Sequence, residues 1–349
     1  MTVPVVGPLW SYLMSRQILE YHETIGYRFI PNIRARLLHE SGGYLVRANG
    51  SGFRCNHEFI REKRLGCRRV LLFGDSFSAG DGVSNEKRYG DLLQTLIPNL
   101  QVFNFALPAT GTDQQYLAYR EFAAGIEHDA LLISVLVENV RRVVSRYRVY
   151  SDDKGQAVVY AKPYFELENG ALELRNVPPA RDPILVGQME EDERDFIDRG
   201  GRFQGLRKVV SALGLREITQ RLSGYQPLPE YDRADSPAWL LMQAILQEWI
   251  RGHSKPVIVM PIPLYQYVEQ TANPTAYQQR FRELAAATGA ALHDPLPDLL
   301  RYPAEQRRRF RFAKDIHPTP EGHAALAASL APVLESVLAG TEERLPTRP

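Results

Sequence analysis

Cysteine is nearly absent from this sequence, with only Cys55 and Cys67 among 349 residues. That scarcity excludes a disulfide-stapled fold. No Cys or His stands beside them in ligand spacing, although His57 is near the first, so they read as free thiols and not as a zinc site. An excess of charge is also lacking: 42 Lys and Arg face 41 Asp and Glu, a formal net charge of +1. Nothing global therefore recommends nucleic acid as a partner. The apolar runs 130–137 and 257–261 fall short of the ~20 residues that a bilayer-spanning helix needs. The opening segment has no basic n-region, no long apolar h-region and no small-residue cleavage site, which points to a mature, cytoplasmic protein. Internal repeats and low-complexity tracts are absent too, and the sequence does not set the oligomeric state.

What is present is an ordinary globular composition, 44% hydrophobic and 24% charged, with material for a large core. Short apolar runs at 69–74, 101–106, 130–137, 257–261 and 290–293 read as buried strands of a parallel sheet. Between them, 89–96, 112–124, 237–251 and 275–288 carry helical spacing, so the chain is an α/β layered fold. Ser236-Pro237 and Thr319-Pro320 each place an N-cap residue before a first-turn proline. The last helix then shows an apolar stripe of Leu326, Leu330, Val333 and Val337. Residues 1–65 form an N-terminal extension packed on the core, 66–149 and 236–340 the core, 150–235 an inserted cap and 341–349 a tail. Within the insertion, 157–160 and 172–174 around Asn169-Gly170 read as a β-hairpin, while 190–199 and 205–222 are charged or helical. Its aromatic residues make either a lid over the site or a satellite core.

One window stands out: Val70-Leu-Leu-Phe-Gly-Asp-Ser76-Phe-Ser78, a strand ending in Gly-Asp-Ser. Ser76 would project from the carboxyl end of a central strand, where open α/β sheets build their sites. A hydroxyl there needs a base to remove its proton. Asp315-Ile-His317 supplies one together with an acid that can orient it. His323 reads as a packing or capping residue, Asp294 as a rival acid, and Ser78 and Asp81 as loop residues.

With these motifs the sequence resembles the SGNH/GDSL hydrolase superfamily over roughly residues 66–340. The resemblance implies a flavodoxin-like three-layer α/β/α sandwich with a central parallel sheet of order 2-1-3-4-5. It makes Ser76 the nucleophile and its N–H one oxyanion donor, with His317 as base and Asp315 as acid. Many members place the acid three residues before the histidine, where this chain has Lys314. Asp315, at minus two, matches the alginate O-acetyltransferase-like branch. The block beginning at Asn104 normally supplies a glycine N–H, and here Ala109 or Gly111 must serve. Asn139, ending the block that starts at Ser134, would give a side-chain amide.

The resemblance requires no metal and no cofactor. It implies a serine esterase that removes an acetyl or other short acyl group from a glycan or other small polar molecule. The rivals are an O-acyltransferase using the same acyl-serine site and a non-catalytic binding protein on the same fold. Arg141 and Arg142 after Asn139, and Arg309 and Arg311 before Asp315, would form a positive rim favouring an anionic substrate. Alternatively these are solvated charges balanced by nearby acids.

Overall fold

The computed structural model describes residues 18–151, 157–198 and 225–342. Two antiparallel hairpins come first, β1 (Leu19–His22) with β2 (Gly26–Phe29) and β3 (Arg34–Leu37) with β4 (Tyr44–Arg47). In β4, Tyr44 and Val46 are buried while Leu45 and Arg47 face water, the period-two pattern of a half-buried strand. The central sheet begins with β5 (Arg68–Phe73), followed by α1 (Ser76–Ala79), α2 (Tyr89–Leu96), β6 (Leu100–Asn104), α3 (Thr112–Ala118), β7 (Ala130–Leu136) and α4 (Asn139–Arg142). A π-helical stretch, Tyr119–Ala123, extends α3. Next come β8 (Tyr147–Ser151), β9 (Ala157–Ala161), β10 (Tyr164–Glu168), β11 (Ala171–Arg175), β12 (Ile184–Leu185) and β13 (Ile197–Asp198). The chain returns through α5 (Pro237–Arg251), β14 (Val257–Ile262), α6 (Tyr265–Val268), α7 (Thr275–Thr288) and β15 (Ala291–Leu292). It closes with α8 (Leu296–Leu299), α9 (Ala304–Arg308) and α10 (Pro320–Glu342).

The five core strands lie in the order β15-β14-β7-β5-β6, all parallel. Counted along the core, that is 2-1-3-4-5. Strands β7 and β14 are buried at every position, which is why they read as unbroken apolar runs and not as alternating ones. Helices α2 and α10 pack together, and α3, α5 and α7 pack in a row, giving the two helical layers that cover the sheet. Switching β5 to β6 on one side and to β7 on the other leaves a crevice at the carboxyl end of β5.

The terminal helix α10 is long and apolar enough to cross a bilayer, but Leu326, Leu330, Leu334 and Leu338 are buried in the main core. The stripe runs through Leu334 and Leu338, and Val333 and Val337 lie on its flank. Thr319 caps this helix by accepting from the Gly322 N–H at 3.2 Å, whereas Ser236 makes no side-chain cap at α5.

The insertion departs from expectation in two ways. The hairpin around Asn169-Gly170 pairs β10 with β11, and β9 instead joins a separate sheet of order β12-β9-β8-β13. Both turn residues have positive φ, 51° and 81°, as a two-residue type I′ connection requires. Residues 190–198, in the stretch read as charged or helical, contain a 3-10 turn at Glu193–Phe196 and the short strand β13. The segment 205–222, read as charged or helical, lies outside the described residues. Of the insertion's aromatics, Phe165 and Tyr231 are buried in the main core. Cys55 and Cys67 are free thiols, and burial pushes the Cys55 thiol up to about 11.

Candidate active site

Strand β5 delivers Gly74, Asp75 and Ser76 to the crevice. A Cβ on Gly74 would lie 2.3 Å from Ser78 Oγ and 3.2 Å from the Ser134 carbonyl oxygen, so only glycine fits between the turn and β7. Asp75 caps α1 by accepting from the Phe77 N–H at 3.0 Å. Its other oxygen takes Arg142 Nη1 at 2.7 Å. Ser76 thus becomes the first helical residue, where a backbone N–H has no intrahelical acceptor. Behind it, Ser78 Oγ and Tyr89 Oη lie 2.7 Å apart, and Asn104 Nδ2 donates to the Ser78 carbonyl at 3.0 Å. These ties hold α1 to the sheet.

The second segment arrives on the loop between α9 and α10. Arg311 bridges to Pro318, and the Phe312 N–H donates to the His317 carbonyl at 3.2 Å, closing the loop on itself. Asp315 Oδ1 lies 2.7 Å from His317 Nδ1 and also accepts the His317 backbone N–H at 3.3 Å. The minus-two spacing allows both contacts, because a carboxylate two residues back reaches the ring and the amide together. His317 Nε2 then lies 2.8 Å from Ser76 Oγ.

Burial works to lower the His317 pKa, but the charges of Asp315, Asp81 and Asp75, with the Asp315 hydrogen bond, outweigh it and raise it to about 9. Asp315 is held well below the ordinary carboxylate value, because its interactions with His317 and His39 overcome its own burial. For Asp81, burial dominates and raises the pKa, with His317 and Arg54 working against it.

Asn139 opens α4 at the end of β7. It is fully buried, yet neither its Nδ2 nor its Oδ1 has a partner. An unpaired buried amide costs on the order of 1–3 kcal/mol per group, and both polar atoms of this one are left without a partner from the protein. Ala109 has φ +63°, the left-handed region that glycine favours, so the backbone of a glycine is kept without the residue. Gly111 instead has extended backbone, and its N–H is directed at Gln114 Oε1 at 3.4 Å. Of the two candidate donors, Ala109 has the uncommitted N–H.

The arginines do not form a free positive rim. Arg142 is buried, pairing with Asp75 and donating to the Thr110 carbonyl at 3.3 Å, so it ties the Gly-Asp-Ser turn to the loop carrying Ala109. Arg141 pairs with Glu230, Arg309 with Glu321 and Arg311 with Glu269. Glu230 and Glu269 reach their arginines from distant segments, whereas Glu138, four residues before Arg142, and Glu321 are the nearby acids that the sequence offered. Asp294 accepts from Tyr277, Gln278 and the Leu296 N–H, and it has no contact with His317. His323 is wholly buried, accepts from the Tyr89 N–H at 3.3 Å, and burial with nearby Arg88 and Arg54 lowers its pKa to about 3.

Two residues of the N-terminal segment reach the site, and no local motif marks either. Arg54 is fully buried and donates to the carbonyls of Ala79 and Gly80, fixing the end of α1. His39 Nε2 lies 3.3 Å from Asp315 Oδ2. Beside the cluster, an open pocket is lined by Phe77, Tyr265, Phe310, Ile316 and Leu326, together with Glu269 and Arg311.

No family model matches the chain, and no curated protein matches it in sequence. Solved structures similar to it include a lipolytic G-D-S-L family protein from Veillonella parvula, at 13% identity over 77% of this chain and 99% of that one, TM-score 0.39. The esterase EstA from Pseudoalteromonas matches at 11% identity over 78% and 99%, TM-score 0.40. An acetyl xylan esterase from Geobacillus stearothermophilus matches at 15% identity over 77% and 94%, TM-score 0.39.

Proposed function

We propose that this chain is a serine ester hydrolase of the SGNH/GDSL type, acting through an acyl-serine intermediate. One observation carries the reading: Ser76 Oγ, His317 Nε2, His317 Nδ1 and Asp315 Oδ1 form a continuous chain with contacts of 2.8 and 2.7 Å. Two segments far apart in sequence meet there, one supplying the nucleophile and the other the base with the acid that orients it, which are the groups nucleophilic catalysis needs.

In the proposed cycle, neutral His317 takes the hydroxyl proton as Ser76 Oγ attacks the ester carbonyl. Asp315 stabilises the imidazolium so formed and keeps its Nε2 facing Ser76. Negative charge on the carbonyl oxygen is met by the N–H groups of Ser76 and Ala109 and by Asn139 Nδ2, the unpaired amide gaining its partner only at this stage. His317 returns its proton to the leaving alcohol as the carbon–oxygen bond breaks. Water, deprotonated by His317, then attacks the acyl-serine, and as the bond from the acyl carbon to Ser76 Oγ breaks His317 returns the proton to Oγ, releasing the acid and restoring the free serine. The substrate we assign is a short acyl ester of a sugar or another small polar molecule.

The test is turnover of p-nitrophenyl acetate and covalent labelling by a fluorophosphonate, in the native chain and in Ser76→Ala. The native chain is expected to label at one site and to turn over, and the variant to do neither. Labelling that persists in Ser76→Ala would sink the assignment.

A further inference from the structure

The turn between β3 and β4 lies against the Asp315 loop, and three contacts define the meeting. His39 Nε2 faces Asp315 Oδ2 at 3.3 Å, Glu40 accepts the Lys314 N–H at 3.0 Å, and the rings of His39 and Phe312 meet edge-on with centroids 4.4 Å apart. Gly82, at φ +87°, makes room: a Cβ there would lie 2.6 Å from the Phe312 ring and 3.1 Å from His39 Cε1. The His39 side chain is only 10% exposed.

The tautomer of His39 follows from its other nitrogen. The Ser41 backbone N–H, which can only donate, points at His39 Nδ1 at 3.4 Å, and Ser41 Oγ is 3.1 Å away. Nδ1 is therefore the acceptor and Nε2 carries the proton, directed at Asp315. Asp315 is then held at both oxygens, Oδ1 by His317 and Oδ2 by His39. A carboxylate on a short loop, held at one oxygen only, can rotate and swing the imidazole it orients. A second donor on the far oxygen removes that freedom.

We propose that His39 is a positioning residue of the active site, clamping Asp315 through its Nε2–H so that the His317 imidazole stays aligned with Ser76. On this assignment the N-terminal segment is part of the catalytic apparatus. The inference rests on the serine-hydrolase reading above. The charged and titratable groups acting on His317 are Asp315, Asp81, Asp75 and His323, with Arg54 behind Asp81.

The experiment compares native chain, His39→Phe, His39→Gln and Ser76→Ala, with kcat, KM and the pH profile of kcat/KM on p-nitrophenyl acetate and thermal unfolding as a check on folding. His39→Phe keeps a ring against Phe312 and loses the donor, whereas His39→Gln restores an N–H near the Nε2 position. Loss of a hydrogen bond to a charged group predicts a fall in kcat of roughly tenfold to a hundredfold in His39→Phe, with KM changed less than about twofold. His39→Gln should recover to within about threefold of native. The acid limb of kcat/KM should move to higher pH in His39→Phe, because a carboxylate relieved of one donor pairs more strongly with the imidazolium. If the phenyl ring does not pack, His39→Leu against His39→Gln makes the same decision. An inactive Ser76→Ala with native kcat in His39→Phe, or with His39→Gln as impaired as His39→Phe, overturns the His39 assignment alone. Full activity in Ser76→Ala overturns the hydrolase reading and His39 with it.

Discussion

Replacing Asn139 by Ala should raise stability and abolish most of the activity at once. Both polar atoms of the Asn139 side chain are buried without a partner from the protein itself. Each carries a desolvation penalty on the order of 1–3 kcal/mol that folding does not return. Truncation removes that penalty and leaves a small cavity whose lost contacts cost about 1–2 kcal/mol. At the low ends of these ranges, about 2 against about 1 kcal/mol, the balance favours the variant by about 1 kcal/mol, a rise in Tm of about 2 °C. The transition state loses an oxyanion donor, which is worth about 3–4 kcal/mol, or a factor of 10²–10³ in kcat. Differential scanning calorimetry and steady-state kinetics on p-nitrophenyl acetate measure the two effects, and Asn139→Asp, with a carboxylate facing the developing charge, should be at least as inactive. The reasoning fails if Asn139→Ala unfolds several degrees lower while kcat stays within threefold of native. That result would mean the amide serves the fold and not the reaction.

Two other perturbations follow from the electrostatics. With the His317 pKa raised to about 9, the neutral base is the minor form at pH 7, so kcat/KM should climb about tenfold per pH unit and level off near pH 9. The same shift stabilises the folded chain fully below about pH 6.5, and that contribution is lost as pH rises through 9, which urea unfolding at pH 6 and pH 10 would register. Asp315→Asn should bring the acid limb down toward the ordinary histidine range while lowering kcat by roughly 10⁴-fold, and a limb unmoved from pH 9 would refute the pairing. Arg142→Ala leaves Asp75 charged and buried beside the nucleophile, so it should cost about 3–5 kcal/mol in urea unfolding. An Arg142→Ala chain within 1 kcal/mol of native would show that the pair is not buried in solution.

The amino-acid sequence alone determined the layers, the strand order expected through the family resemblance, and the two short motifs. Strands such as Ala130–Leu136, buried on both faces, announce themselves as unbroken apolar runs. The Gly-Asp-Ser turn and the Asp-x-His pair are legible because their geometry is local: a Cβ at Gly74 does not fit, and a carboxylate two residues back reaches its own histidine. Choosing between Ala109 and Gly111 lay beyond the sequence, because the choice turns on one backbone angle that the surrounding loop imposes. The role of the arginines was likewise hidden. Whether Arg142 faces solvent or Asp75, 67 positions away, depends on how the ends of β5 and β7 are juxtaposed. His39 stands 276 positions from Asp315, in a segment that precedes every core strand. Periodicity and propensity act over a few residues, so they place elements. Which side chain meets which across such distances is decided only when the hairpins, the sheet and the terminal helix share one core.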